Sequence, residues 1–183
     1  MLIHKGTRTI ETDRLILRQA KIEDAQPMFD NWCCDEEVTK YLTWPSHDSI
    51  DITKWVLNDW VAGYEKDDFY QWMIVLKELS QPIGTIDVHD LDDTAAKGEI
   101  GYCIGKNWWR MGIMSEALTA VLAFMFDEVG MKQLIANHDT NNPNSGAVMR
   151  KCGMKLVGII PQGGRNNQGI CDICRYSLSA EER

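Results

Sequence analysis

Apolar and polar positions along the chain follow two periods, and the changes between them mark the elements. Residues 13–18 set Leu15, Ile16 and Leu17 between charged ends, which predicts a strand. Residues 21–25 then open a helix that runs toward Cys33. Segment 34–50 is mixed and broken at Trp44-Pro45. After it, Ser49 or Asp51 caps a helix reaching about Gly63, with Ile52, Trp55, Val56 and Trp60 near helical spacing. Residues 70–77 and 82–89 predict strands joined by a short connection at 78–81. A polar loop at 90–97 leads to a strand at 98–104 and a loop at 105–111 rich in tryptophan and cations. The broad apolar stripe of 112–129 predicts the longest helix, stopped by Gly130. A strand at 131–137 is followed by a helix at 143–152, with Pro143 in its first turn and Gly153 where a left-handed cap belongs. Strands at 155–160 and 170–178 surround a glycine-rich loop at 162–169.

This order predicts an α/β fold with a mixed sheet, and the chain shows no internal repeat or linker. Its 183 residues, set against about 150 per domain, predict one domain over residues 1–183. The balance of 19 basic and 27 acidic side chains gives a net charge of −8. That argues against nucleic-acid binding, which needs a dense basic face. Apolar runs such as 120–126 fall short of the ~20 residues that span a bilayer, so no membrane association is expected. The first residues show no signal-peptide pattern, and the expected compartment is the cytoplasm. Six cysteines are then expected as free thiols. Cys171 and Cys174 have metal-like spacing but fall on opposite faces of a strand, and no second pair completes a site, so no metal is expected.

The chemistry is concentrated in residues 98–153. A helix that starts directly after a strand offers free N–H groups and a dipole to an anion. Gly112 permits close approach of a ligand, Ser115 adds a hydroxyl, and Lys106 and Arg110 supply charge. Neither a Walker loop nor Gly-x-Gly-x-x-Gly is present, which argues against nucleotide hydrolysis and dinucleotide binding.

Four segments carry a family resemblance. They are Glu11-Thr-Asp-Arg-Leu-Ile-Leu-Arg18, Gly98-Glu-Ile-Gly-Tyr102, Trp108-Trp-Arg-Met-Gly-Ile-Met-Ser-Glu-Ala117, and Asn142-Pro-Asn-Ser145 leading to Lys151-Cys-Gly-Met154. In this order and spacing the chain resembles the GNAT acetyltransferase superfamily, in its ribosomal-protein N-terminal acetyltransferase (RimJ/RimL-like) branch. The resemblance implies a mostly antiparallel seven-stranded sheet flanked by helices and splayed between its fourth and fifth strands. It implies acetyl-CoA as cosubstrate, with pantetheine along Tyr102, Cys103 and Ile104 and pyrophosphate at the loop Trp109, Arg110, Met111, Gly112, Ile113, Met114 and Ser115. Arg110 and Met114 stand where the superfamily commonly has small residues.

The reaction implied is direct transfer of acetyl to a primary amine, either a protein N-terminus or a small molecule. An ammonium has no lone pair, so a base is needed, and Glu99 is the candidate. Many superfamily members protonate the leaving thiolate with a tyrosine, whose position here holds Met149. Ser145 is the candidate donor instead, with Asn142 holding pantetheine. His138, Asp87 and His89 are weaker candidates as bases or acceptor contacts, and Trp44 and Trp55 lie where the family shapes its acceptor pocket. A monomer or homodimer is expected. The alternatives are a non-catalytic acyl-CoA-binding or regulatory module, favoured by the missing tyrosine, and a ribosome-associated partner protein.

Overall fold

The computed structural model describes residues 2–183. Eight strands form one sheet in the order β1-β2-β3-β4-β5-β6-β8-β7. They are β1 (Ile10–Glu11), β2 (Leu15–Arg18), β3 (Tyr70–Leu76), β4 (Gln81–Asp92), β5 (Lys97–Ile104), β6 (Gln133–Asp139), β7 (Lys155–Asn166) and β8 (Gly169–Ser179). Every pairing is antiparallel except that of β5 with β6. The expected count of seven is therefore corrected to eight. The addition, β1, is two residues long and folds back on β2, too short to show a period in the sequence.

The expected opening between the fourth and fifth strands lies between β5 and β6. Only Lys97, Gly98 and Glu99 pair with β6, and Ile100–Ile104 diverge from it. The expected loops at 90–97 and 162–169 are shorter than anticipated, because β4 runs to Asp92 and β7 to Asn166.

All seven residues of β3 are buried because the sheet is covered on both faces. Leu15, Leu17, Trp72 and Ile74 meet helix α4 (Ile113–Phe124) through Ala117, Leu118 and Val121. On the other face Met73 and Val75 meet Met28, Trp32 and Leu57. Those last residues come from α1 (Ala25–Met28), the turn after it, and α3 (Ile50–Gly63), while α2 (Glu36–Thr39) lies between. The expected continuous helix from 21 to 33 is broken into a 3₁₀ turn, α1 and a widened turn at Phe29–Cys33. The widened turn sends the adjacent Trp32 and Cys33 both inward, neither with any exposure. Helix α4 likewise ends in a widened turn, Met125–Val129, before Gly130. Helix α5 (Pro143–Lys151) follows β6 as expected. Among the described residues no helix is long and apolar enough to cross a membrane.

Candidate active site

The open edge of β5 is the first component. Gly105 N–H donates to Ile83 O at 2.9 Å, and the register places Ile104 opposite Gly84. Alternation along an antiparallel pair then turns the peptide groups of Ile100, Tyr102 and Ile104 toward the opening and those of Cys103 toward Thr85. Of the three residues expected along pantetheine, Tyr102 and Ile104 offer backbone, whereas Cys103 does not. The Cys103 thiol lies 3.4 Å from Thr85 Oγ1. Burial pushes it up to about 11, so it is neutral. The Trp109 indole donates to Ile104 O at 2.8 Å, tying the next loop to the strand end.

That loop is the second component. Arg110 (φ 62°) and Gly112 (φ 75°) are both left-handed, and Gly112 precedes the first turn of α4. The side chains of Ile113, Met114 and Ser115 are buried, so these residues present only backbone, including N–H groups of the helix start. A Cβ added at Gly112 would lie 3.6 Å from Lys151 Nζ and 3.8 Å from Arg14 Nη2. Two cations therefore converge on the helix start from residues the sequence analysis had not singled out. Arg14 is held there by donation to Met111 O at 3.0 Å and to Glu116 Oε2 at 2.7 Å. Burial alone would raise the Glu116 carboxyl, but bonds from Thr12 and Arg14 outweigh it and hold the group below its ordinary value. Lys106, expected to supply charge to this loop, instead pairs with Asp35 at 2.8 Å. Arg110 and Met111 are exposed beside the loop.

Helix α5 closes the other side of the opening. The Asn142 side chain makes no capping bond at its start. One turn on, the Tyr102 phenol oxygen lies 3.0 Å from Ser145 Oγ and 3.0 Å from Ser145 O. The sequence analysis assigned only the backbone of Tyr102. Its side chain alternates to the α4–α5 face with Ile100, which is the signal that could have placed it. Burial raises the phenol well above its ordinary pKa, so it keeps its proton. His138 packs beneath α5, its Nε2 2.4 Å from where a Cβ on Gly146 would stand, and it does not border the cleft described next.

The sheet face opposite α4 forms the floor of a cleft of about 520 Å³. Glu99 and His89 face each other in register, as do Asp87 and Gly101. Asn137 Nδ2 donates to Glu99 Oε1 at 2.7 Å, and Arg175 Nε donates to Asn137 Oδ1 at 3.0 Å, fixing the carboxylate at the splay point. His89 Nδ1 lies 2.6 Å from Asp87 Oδ2, and that bond raises the imidazole pKa against an opposing effect of burial. A ring nitrogen of His89 and a carboxylate oxygen of Glu99 come within 4.8 Å. The walls are Trp32, Tyr41, Trp44, His47 and Trp60. Burial lowers the pKa of His47, which is hydrogen-bonded to Thr53 and therefore neutral near pH 7. Trp55, expected at the acceptor pocket, is 72% exposed. Thr53, Leu57 and Trp60 set the inner face of α3, and Trp55 falls on the outer one.

The loop carrying Tyr41 and Trp44 is clamped from afar. Asn167, in the two-residue turn between β7 and β8, donates from its side chain to Thr39 O and Trp44 O, each at 2.8 Å. Its backbone N–H adds a bond to Leu42 O at 3.2 Å. The site as a whole is a splayed sheet with an anion cradle on one side and an acidic, aromatic cleft on the other.

This combination defines an acyl-transfer scaffold. Residues 14–155 match the family model for the acetyltransferase (GNAT) domain, and the chain belongs to the GNAT acetyltransferase family. It is similar to the uncharacterized N-acetyltransferase YoaA of Bacillus subtilis, with 32% identity covering 92% of this chain and 95% of that protein. The ribosomal-protein-serine acetyltransferase of Escherichia coli is 22% identical over 93% of this chain and 96% of its own length. Among solved structures, the ribosomal L7/L12 alpha-N-protein acetyltransferase RimL in complex with coenzyme A superposes with a TM-score of 0.85. That match has 18% identity and covers 96% of this chain and all of that one. The expected fold and the expected acetyltransferase class are borne out.

Proposed function

We propose that the chain transfers acetyl from acetyl-CoA to a primary amine by direct attack. The observation that carries this reading is that Glu99 and the Tyr102–Ser145 pair lie on opposite faces of β5, beside the β5–β6 opening. Free N–H groups at residues 113–115 receive the pyrophosphate, with Arg14 and Lys151 beside them. The open edge of β5 at Tyr102 and Ile104 receives the pantetheine amides, and Asn142 flanks that arm. A backbone N–H of the same edge polarises the thioester oxygen.

Glu99 takes a proton from the ammonium, and the freed lone pair attacks the carbonyl carbon. A C–N bond forms and the C–S bond breaks. Ser145 donates its hydroxyl proton to the leaving sulfur, and Tyr102 resupplies Ser145. The proton that nitrogen sheds on collapse returns, through solvent, to the phenol. The balance is one amide, one thiol and one proton released through Glu99. Tyr102 offers the phenol that Met149 cannot, which supports the catalytic reading over a non-catalytic module.

The acceptor is a protein N-terminus or a small-molecule amine. The name of the Escherichia coli relative favours a protein acceptor. Incubating the purified chain with acetyl-CoA and an amine panel tests the reading. Thiol release with stoichiometric N-acetyl product is expected, and tight CoA binding without any thiol release would overturn it.

A further inference from the structure

Where the backbone ladder between β5 and β6 stops, a side chain continues it. Glu99 is the last residue of β5 in register with β6, opposite Ile135. Asn137 stands two residues further along β6 on the same face, at the first rung there that the splayed strands leave unpaired. Its amide bridges the gap to Glu99, and among the described residues no other group hydrogen-bonds that carboxylate. On the far side of β6, Arg175 of β8 lies opposite Asn137 in register. Glu99, Asn137 and Arg175 therefore form one row across three neighbouring strands.

The chemistry of the outer member fixes which way the amide points. A guanidinium only donates, so the Asn137 oxygen faces Arg175 and its NH2 faces Glu99. Arg175 is not part of the cleft lining. Among the described residues it forms no ion pair, and its only side-chain hydrogen bond is the one to Asn137. With Glu99 Oε1 occupied by the amide, Oε2 has no hydrogen-bond partner among the described residues. A proton can arrive at Oε2 while the anchor at Oε1 stays in place. Asp87 and His89, beside Glu99 on the floor, are bonded to each other and leave its orientation to Asn137.

We propose that Asn137 and Arg175 are positioning residues for the base: Arg175 locks the Asn137 amide, and the amide holds Glu99 so that Oε2 receives the ammonium proton. In that step an N–H bond of the ammonium breaks, an O–H bond forms at Oε2, and the electron pair stays on nitrogen. The inference rests on the acetyl-transfer reading and deepens it, because Arg175 acts from outside the cleft.

The test measures thiol release by the whole chain with a serine-headed tripeptide amide and with spermidine, the faster of which supplies kcat and KM. Asn137→Leu keeps about the same volume but cannot donate. We expect it to lower kcat at least about tenfold, with amine KM and CoA affinity within about twofold of wild type. Arg175→Met frees the amide and lowers kcat by a smaller factor, and Arg175→Lys, which still donates, restores most of that loss. In a Glu99→Gln background neither Asn137→Leu nor Arg175→Met lowers kcat further. Should Asn137→Leu fail to fold, the wild-type chain supplies a second reading by NMR. The side-chain NH2 resonances of Asn137 shift in an acid titration of the wild type and stay in place in Glu99→Gln. A loss of equal size in the Glu99→Gln background, a change in KM alone, Arg175→Lys no better than Arg175→Met, or NH2 resonances indifferent to Glu99 overturns the inference and leaves acetyl transfer standing. No thiol release from either amine, with the NH2 shift retained, overturns acetyl transfer and leaves the hold of Asn137 on Glu99 standing.

Discussion

The two sides of the β5–β6 opening are built by different means. The donor side draws on backbone: the free edge of β5, the left-handed turn at Gly112 and the first turn of α4. The acceptor side draws on side chains from separate segments, with Trp32, Tyr41, Trp44, Trp60, Asp87 and Glu99 converging on one cleft. Backbone recognition tolerates sequence change as long as the turn geometry is kept, which is why Arg110 and Met114 are accommodated. Side-chain recognition changes with every substitution. On the proposed function, one half of the molecule is constrained by its cosubstrate and the other is free to select its amine.

Substitutions on the two sides should separate this division cleanly. The largest effect is expected from Glu99→Gln, which removes the proposed base and should lower kcat by roughly 10²–10³-fold with CoA affinity nearly unchanged. Its pH–rate profile should lose the limb due to the carboxylate, and an unaltered profile would remove Glu99 from the mechanism. Gly112→Val should act on the other side, weakening CoA binding by roughly 10- to 100-fold in calorimetry. A branched side chain at φ 75° is also strained by about 1–3 kcal/mol, so the melting temperature should fall with it. Tyr102→Phe keeps the ring and removes the proton, and kcat should drop by about tenfold. Combined with Ser145→Ala the loss should be less than additive, because the two hydroxyls act in series.

Asn167→Ala should raise the amine KM several-fold by releasing the 39–44 loop, with no change in CoA affinity. A matching change in both constants would show that the two sides are not separable. The smallest effect concerns pH. The native pKa of His89 is raised by Asp87, so its contribution to stability is complete below the unfolded value of about 6.5. That contribution is lost as pH rises through the elevated native value. Asp87→Asn should flatten this dependence, costing more stability at pH 5.5 than at pH 8.5, as urea titrations would show. The pair is half exposed, which limits the difference to less than about 1 kcal/mol.

The donor side was legible in the sequence because its parts are contiguous. Glycines, a helix start and a strand lie within residues 98–115, and local patterns report local geometry. What escaped was whatever depends on distant partners. Arg14 and Lys151 reach the Gly112 turn from the bend before β2 and the end of α5, and no spacing rule connects them. Lys106 looked like part of the anion site because it is near in sequence, yet Asp35 draws it to the other side. Trp55 and Trp60 both fit an apolar stripe, and only the position of the sheet decides which faces inward. The turn that turns Trp32 and Cys33 inward cannot be read from a 3.6-residue period.

The three bonds from Asn167 give the C-terminal hairpin a role in how this protein changes over generations. Residue 167 lies outside the cleft lining but sets the placement of Tyr41 and Trp44, more than 120 positions earlier. A one-residue insertion in that tight turn would re-aim both aromatic side chains and leave every group proposed to hold CoA in place. Substrate range can therefore drift through the hairpin tip, out of sight of any comparison confined to residues that touch the substrate.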